Sequence, residues 1–126
     1  MGAETIIIID DDKPFLEALS LLLRDYGYQV QQALNGQAGI VKSLQQQPDL
    51  VIIDVHLPDI NGVDVAQQIR RSHTSTPLIM ISSDDSREIV SRCRAIDSCM
   101  FVSKSLASGK LITAIADLLD SRNTPR

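Results

Sequence analysis

The chain has 126 residues, of which 44% are hydrophobic and 22% charged, and carries a formal net charge of −4. Such a chain suffices for one domain with a buried core, and its mildly acidic balance offers no electrostatic footprint for nucleic acid. No apolar run approaches the ~20 residues of a membrane helix and no signal-peptide pattern opens the chain, so no membrane partner and a cytoplasmic location are expected. Cys93 and Cys99 lack a CxxC spacing and a nearby His, which argues against a metal site. They read as ordinary thiols of a reducing compartment, with a regulatory disulfide as the alternative.

In chain order, the first strand is expected over 5–9, where Ile6 to Ile9 form an unbroken apolar run that ends in Asp10, Asp11 and Asp12. Phe15, Leu16, Leu19, Leu22 and Leu23 then fall on one helical stripe, closed by Gly27. A second strand occupies 29–33. Asn35-Gly36 turns the chain into a second helix, with Ile40, Val41 and Leu44 expected inward and a stop before Pro48. Strands at 50–53, 78–81 and 100–102 alternate with helices at 63–71 and 86–95, and Leu111, Ile115, Leu118 and Leu119 mark a final helical stripe.

The first, third and fourth strands are solidly apolar, as strands covered on both faces of a parallel sheet must be. Strict β-α alternation with short loops implies a doubly wound α/β fold with right-handed crossovers. Residues 1–121 form one domain in this reading, and 122–126 a tail or the start of a linker.

Ligands of open parallel sheets bind beyond the carboxyl ends of the strands, so those ends are where chemistry is sought. Strand one presents Asp10, Asp11 and Asp12; strand three presents Asp54; strand four, Ser82 and Ser83; strand five, Ser103 and Lys104. If strands one and three are neighbours, their carboxylates converge, and converging carboxylates do not all stay ionised without compensation. A hard divalent cation, Mg²⁺ above all, suits such an oxygen-rich pocket, and Lys104 adds a fixed positive charge. Metal, ammonium and the Ser82 hydroxyl together would surround phosphoryl oxygens while Asp54 attacks phosphorus. Taken singly these residues say little. Asp12, followed by Lys13-Pro14, reads first as a helix N-cap. A lone Asp54 is an ordinary loop aspartate, and a lone Lys104 is usually solvated.

In combination, "IIIIDDD", "DLVIIDVHLPDINGVDV", "PLIMISS" and "FVSKS" resemble, in order and spacing, the receiver domain of two-component response regulators over essentially the whole chain. The resemblance implies a five-stranded parallel sheet of order 2-1-3-4-5. It makes Asp54 the phosphoacceptor, served by a sensor histidine kinase or phosphotransfer protein. Asp10, Asp11, Asp54 and the backbone carbonyl of His56 become the Mg²⁺ ligands. Lys104 becomes the partner of the phosphoryl oxygens, Ser82 the switch hydroxyl and Phe101 the switch aromatic. The His56 side chain is expected to face solvent and to influence phosphoryl lifetime. Phosphorylation would then repack the surface of helix four, strand five and helix five, for an output partner or a homodimer. "FVSKSL" resembles the branch of receivers usually joined to helix-turn-helix transcription domains.

Ser105 stands where the family usually has proline after the lysine, often with a cis bond. A cis bond before a non-proline residue costs ~2.5–4 kcal/mol, so a trans Lys104–Ser105 bond is expected. Ser83, Asp84, Asp85 and Asp97-Ser98 are further departures around the pocket and before strand five. Two alternatives stay open: a pseudo-receiver acting as a phosphorylation-independent interaction module, and a haloacid-dehalogenase-type phosphatase using Asp10 and Asp12. In the second, Pro14 fills a position that should be Thr or Val. A nucleotide P-loop is excluded, because no GxxxxGK[ST] occurs.

Overall fold

The computed structural model describes residues 3–107 and 109–123. Five strands, β1 (Thr5–Ile9), β2 (Gln29–Ala33), β3 (Leu50–Asp54), β4 (Leu78–Ser82) and β5 (Cys99–Ser103), alternate with five helices. These are α1 (Lys13–Asp25), α2 (Gly36–Gln46), α3 (Gly62–Ser72), α4 (Arg87–Arg94) and α5 (Lys110–Asn123). All strand pairs are parallel and the order is β2-β1-β3-β4-β5, as expected. Of the tail expected over 122–126, Arg122 and Asn123 belong to α5, and residues 124–126 lie outside the described residues.

The pleat divides the core into two. Ile6 and Ile8 face α1 and α5, in a cluster with Leu16, Leu19, Ile52, Ile79, Leu111 and Ile115. Ile7 and Ile9 face the other way, toward the cluster that holds Ile40, Ile53, Val65, Ile69, Met80 and Cys93. Both faces of β1, β3 and β4 are thus covered, which is why these segments read as continuous apolar runs rather than alternating ones. Each buried Ile contributes about 1.5–3 kcal/mol of transfer free energy.

The helix ends follow local chemistry. Asp12 caps α1, accepting from the Phe15 N–H at 3.3 Å with Pro14 in the first turn, and Gly27 takes a φ of 96° just past its end. Asn35, Asn61 and Ser86 cap α2, α3 and α4.

One expected face is wrong in part: Ile40 is buried as expected, but its two companions are not. Val41 and Leu44, read as inward, are 40% and 45% exposed. The buried face of α2 is instead Gly36, Gly39, Ile40 and Ser43. A Cβ on Gly39 would come within 2.3 Å of the Ile9 side chain, so the helix seats on β1 through small residues.

Candidate functional site

Register builds the site. Ile9 pairs with Ile53, which sets Asp10 beside Asp54 at the carboxyl ends of adjacent strands. Asp54 pairs with Ile81 and Ser82 with Ser103, and the Lys104 N–H donates to the Ser82 carbonyl at 3.0 Å. Five residues separated by up to 94 positions therefore meet at one edge without any long-range loop.

Asp10 and Asp54 are buried and Asp11 is exposed, and one carboxylate oxygen from each lies within 4.8 Å of the others. Lys104 closes the group. Its Nζ lies 3.1 Å from Asp54 Oδ2, 3.1 Å from Asp10 Oδ1, 3.0 Å from Asp10 Oδ2 and 3.6 Å from Asp12 Oδ2. Burial pushes the Asp10 carboxyl up to about 6, against the lowering effect of the Asp12 N–H and of Lys104, and the neighbouring Asp54 raises it further. Burial alone would lower the Lys104 ammonium, but its hydrogen bonds to Asp10 and Asp54 outweigh this and hold it above the usual lysine range.

This donor set fits a hard divalent cation. Three carboxylates converge, and the buried Asp10 Oδ2 has no hydrogen bond beyond its charge contact with Lys104. A cation taking 2–3 carboxylates and completing its shell with water would compensate that charge.

Of the remaining expected residues, His56 and Ser82 lie at this end of the sheet, and Phe101 lies two residues before the end of β5. The His56 N–H donates to Asp54 Oδ1 at 3.1 Å, so the loop after β3 starts by tying itself to the acceptor candidate. The His56 ring is exposed, with Nε2 3.8 Å from Asp84 Oδ2 at the rim. Ser82 is buried, and its Oγ accepts from the Asp84 N–H at 2.9 Å. Phe101 is half-buried against the α2–α4 side of the core. The Lys104–Ser105 bond is trans, as the missing proline implies.

Two further contributors stand beside the site; Gly62, with Pro58, matches the loop that follows the acceptor in the family, but its contact was not foreseen. Phe15, read only as part of a core stripe, lies under the Lys104 ammonium, 4.9 Å from ring centroid to Nζ. Gly62 passes so close to the strand end that a Cβ there would meet the Asp54 carbonyl oxygen at 2.1 Å. Its N–H donates to the Val55 carbonyl at 2.8 Å, which folds the loop back over β3.

Known proteins share this fold. The family model of the response regulator receiver domain matches residues 6–116. The chain belongs to this family. It is a receiver domain of two-component signalling, a family of switches that interact with histidine kinases or phosphotransfer proteins. It is 32% identical over 84 residues to the probable transcriptional regulatory protein TcrX of Mycobacterium tuberculosis, covering 67% of this chain and 36% of that protein. It is 39% identical over 80 residues to the DNA-binding dual master transcriptional regulator RpaA of Synechocystis, covering 62% and 33%. The receiver thus spans about a third of the length of these curated relatives.

Among solved structures, a CheY-like receiver from Methanospirillum hungatei superposes with a TM-score of 0.91 at 23% identity, over 97% of this chain and 98% of that one, and shows the shared fold. The Thermotoga maritima response regulator TrrA, solved in complex with Mg²⁺ and BeF, aligns at 28% identity with a TM-score of 0.83, over 91% and 98%. Among the described residues, no helix is long and apolar enough to cross a membrane.

Proposed function

We propose that this receiver is phosphorylated on Asp54 and that the modification switches its α4-β5-α5 surface. The observation that carries the reading is the Lys104 ammonium, held 3.1 Å from Asp54 Oδ2 inside a pocket whose carboxylates suit a divalent cation. Asp10, Asp11, Asp54 and the His56 carbonyl would hold Mg²⁺, which supplies charge neutralisation for an incoming phosphoryl group.

The chain's own residues do the rest. Asp54 is the nucleophile, and its Oδ2 already faces Lys104. Attack on phosphohistidine forms the aspartyl O–P bond as the P–N bond breaks, and the imidazole leaves. Lys104 stays charged throughout, since its ion pairs hold its proton tightly, and stabilises the added negative oxygens. The new group adds about −1.5 to −2 charges.

Ser82 answers that charge. Its hydroxyl oxygen accepts the Asp84 N–H, and turning the hydroxyl toward a phosphoryl oxygen gives that bond up. Phe101, on the adjacent strand and only half-buried, is placed to follow into the vacated space. A local charge change thereby biases a two-state packing arrangement. A transcriptional output through a further domain is in keeping with the transcriptional regulators to which the chain is related.

The test is intact mass after incubation with acetyl phosphate, with and without Mg²⁺, alongside Asp54→Asn. A Mg²⁺-dependent adduct of one phosphoryl group, absent from the variant, is expected. If no adduct forms and beryllofluoride with Mg²⁺ leaves the thermal melt unchanged, the switch reading fails and the pseudo-receiver takes its place.

A further inference from the structure

Outside the carboxylate site, one pair of nucleophilic side chains is brought together by the fold. Cys93, in the last turn of α4, and Cys99, the first residue of β5, place their sulfurs 3.3 Å apart. That is inside the usual van der Waals separation of two sulfurs, and the two thiols share a hydrogen bond. The intervening turn is tight. The Ala95 and Ile96 N–H groups donate back into α4, and Ser98 adopts a left-handed φ of 52° to enter the strand. We propose that Cys93 and Cys99 are a dithiol–disulfide pair that closes under peroxide and fastens the end of α4 to the start of β5.

Geometry and chemistry agree on this assignment. A disulfide bond is ~2.05 Å long, so the sulfurs must approach by roughly 1.2 Å, within reach of small side-chain rotations. Cys93 is fully buried and Cys99 is half-buried, so an oxidant reaches the pair from the Cys99 side. The Cys99 S–H and the nearby Arg94 guanidinium hold the Cys93 thiol below its usual range, while the same hydrogen bond and burial hold the Cys99 thiol well above it, which favours Cys93 as an attacking thiolate.

The step balances with hydrogen peroxide as the oxidant. One of the two sulfurs, as its thiolate, attacks one peroxide oxygen, the O–O bond breaks, and one water leaves as that cysteine becomes a sulfenic acid. The other sulfur then attacks the sulfenic sulfur, forming the S–S bond and expelling the hydroxyl, which leaves as a second water after taking up the proton of that thiol. Two thiols are oxidised and one peroxide is reduced to two waters.

The position gives the bond a consequence. Cys93, Ile96, Cys99 and Phe101 pack in one cluster, and Cys99 and Phe101 lie on the same face of β5. A bridge there restrains the surface through which the Asp54 switch would act, a consequence that rests on the reading of the previous section.

The test uses the intact protein, reduced and then exposed to hydrogen peroxide, quenched with N-ethylmaleimide under denaturing conditions and weighed. The expected product has lost two hydrogens and takes up no maleimide, and dithiothreitol restores both alkylation sites. Trypsin should release residues 93–94 linked to residues 95–104, because Arg92, Arg94 and Lys104 flank the pair. In Cys93→Ser, dimedone should capture the Cys99 sulfenic acid; if that variant does not fold, the wild-type mass and the linked peptide decide the matter alone. Retention of both alkylation sites, oxygen adducts without a linked peptide, or a disulfide only between chains would each overturn the proposal. Hydrogen exchange over residues 93–103 should slow in the oxidised form, and unchanged exchange there would refute the restraint. None of these readouts depends on whether Asp54 is phosphorylated.

Discussion

Gly62 lies against the strand end that carries Asp54, and its replacement by alanine puts the close approach to a direct test. Its φ is not left-handed, so the residue is needed for space rather than for backbone freedom. The added Cβ would sit 2.1 Å from the Asp54 carbonyl oxygen and 2.8 Å from Val55 Cα, where ordinary contact begins at 3.4 Å. Both neighbours are backbone atoms of a fully covered strand end, so neither can swing aside as a side chain would. Overpacking of this kind costs ~1–3 kcal/mol, and lifting the loop also strains the Gly62–Val55 hydrogen bond, worth ~0.5–1.5 kcal/mol.

A total of about 1.5–4.5 kcal/mol follows, and at ~4 °C per kcal/mol for a chain of this length the melting temperature should fall by about 6–18 °C. The same displacement moves the acceptor relative to Lys104, so acetyl-phosphate labelling should slow as well. Gly27→Ala is the control: nothing lies within 4 Å of its Cβ, and its φ of 96° makes the penalty one of backbone conformation alone. Differential scanning fluorimetry with timed mass spectrometry reads both effects. A Gly62→Ala melt within ~2 °C of wild type would show that the loop after β3 adjusts freely, and the steric argument would be wrong.

Lys104→Met leaves the buried Asp10 carboxylate facing Asp54 without its cation; stability should drop by up to ~3–5 kcal/mol in divalent-free buffer, with much of the loss recovered on adding Mg²⁺. Identical melts of the variant with and without Mg²⁺ would speak against a divalent site. Asp59 accepts from the Gly36 and Gln37 N–H groups at 2.7 and 2.9 Å, and these bonds hold its carboxyl below the ordinary 3.8. Its stabilisation is therefore present above pH 3.8 and is lost as pH falls through the depressed value. The melting gap between wild type and Asp59→Ala should stay constant down to about pH 4 and close below it, and a gap that persists in acid would contradict this. Arg70 donates to the carbonyls of His73 and Thr76 at 2.5 and 2.6 Å, at the opposite end of the sheet from the carboxylates. Arg70→Leu should cost about 1–3 kcal/mol per abandoned buried carbonyl and leave Asp54 labelling unchanged; slowed labelling would mean that the two ends are coupled.

The order of elements was legible because the sheet's central strands are buried on both faces and so must be apolar throughout, as Ile6–Ile9 and Leu78–Ile81 are. Capping was equally local: Asp12 needs only its own Phe15 N–H, three residues on. The carboxylate site was legible in part, since strand ends are visible in sequence and parallel pairing brings them to one edge. Asp10, Asp11 and Asp54 could be named before their 4.8 Å convergence was seen.

Contacts that depend on which surfaces meet had no such signal. Val41 and Leu44 belong to the apolar pattern of α2, yet the helix buries Gly36, Gly39 and Ser43, which carry almost no hydropathy. The closeness of Ile9 to Gly39, and of Val65 and Ile60 to Gly36, selects that face. Phe15 beneath Lys104 is decided in the same way, and so are the contact of Gly62 with the Asp54 carbonyl and the 3.3 Å approach of Cys93 to Cys99, where the sequence offered only a loop match and a disulfide as an alternative. The sequence by itself determined which segments fold, where they end and which charges stand at those ends, because hydropathy and capping act along the chain. Only the tertiary structure decided which atoms touch, because close packing of one element on another depends on shapes that lie far apart in sequence.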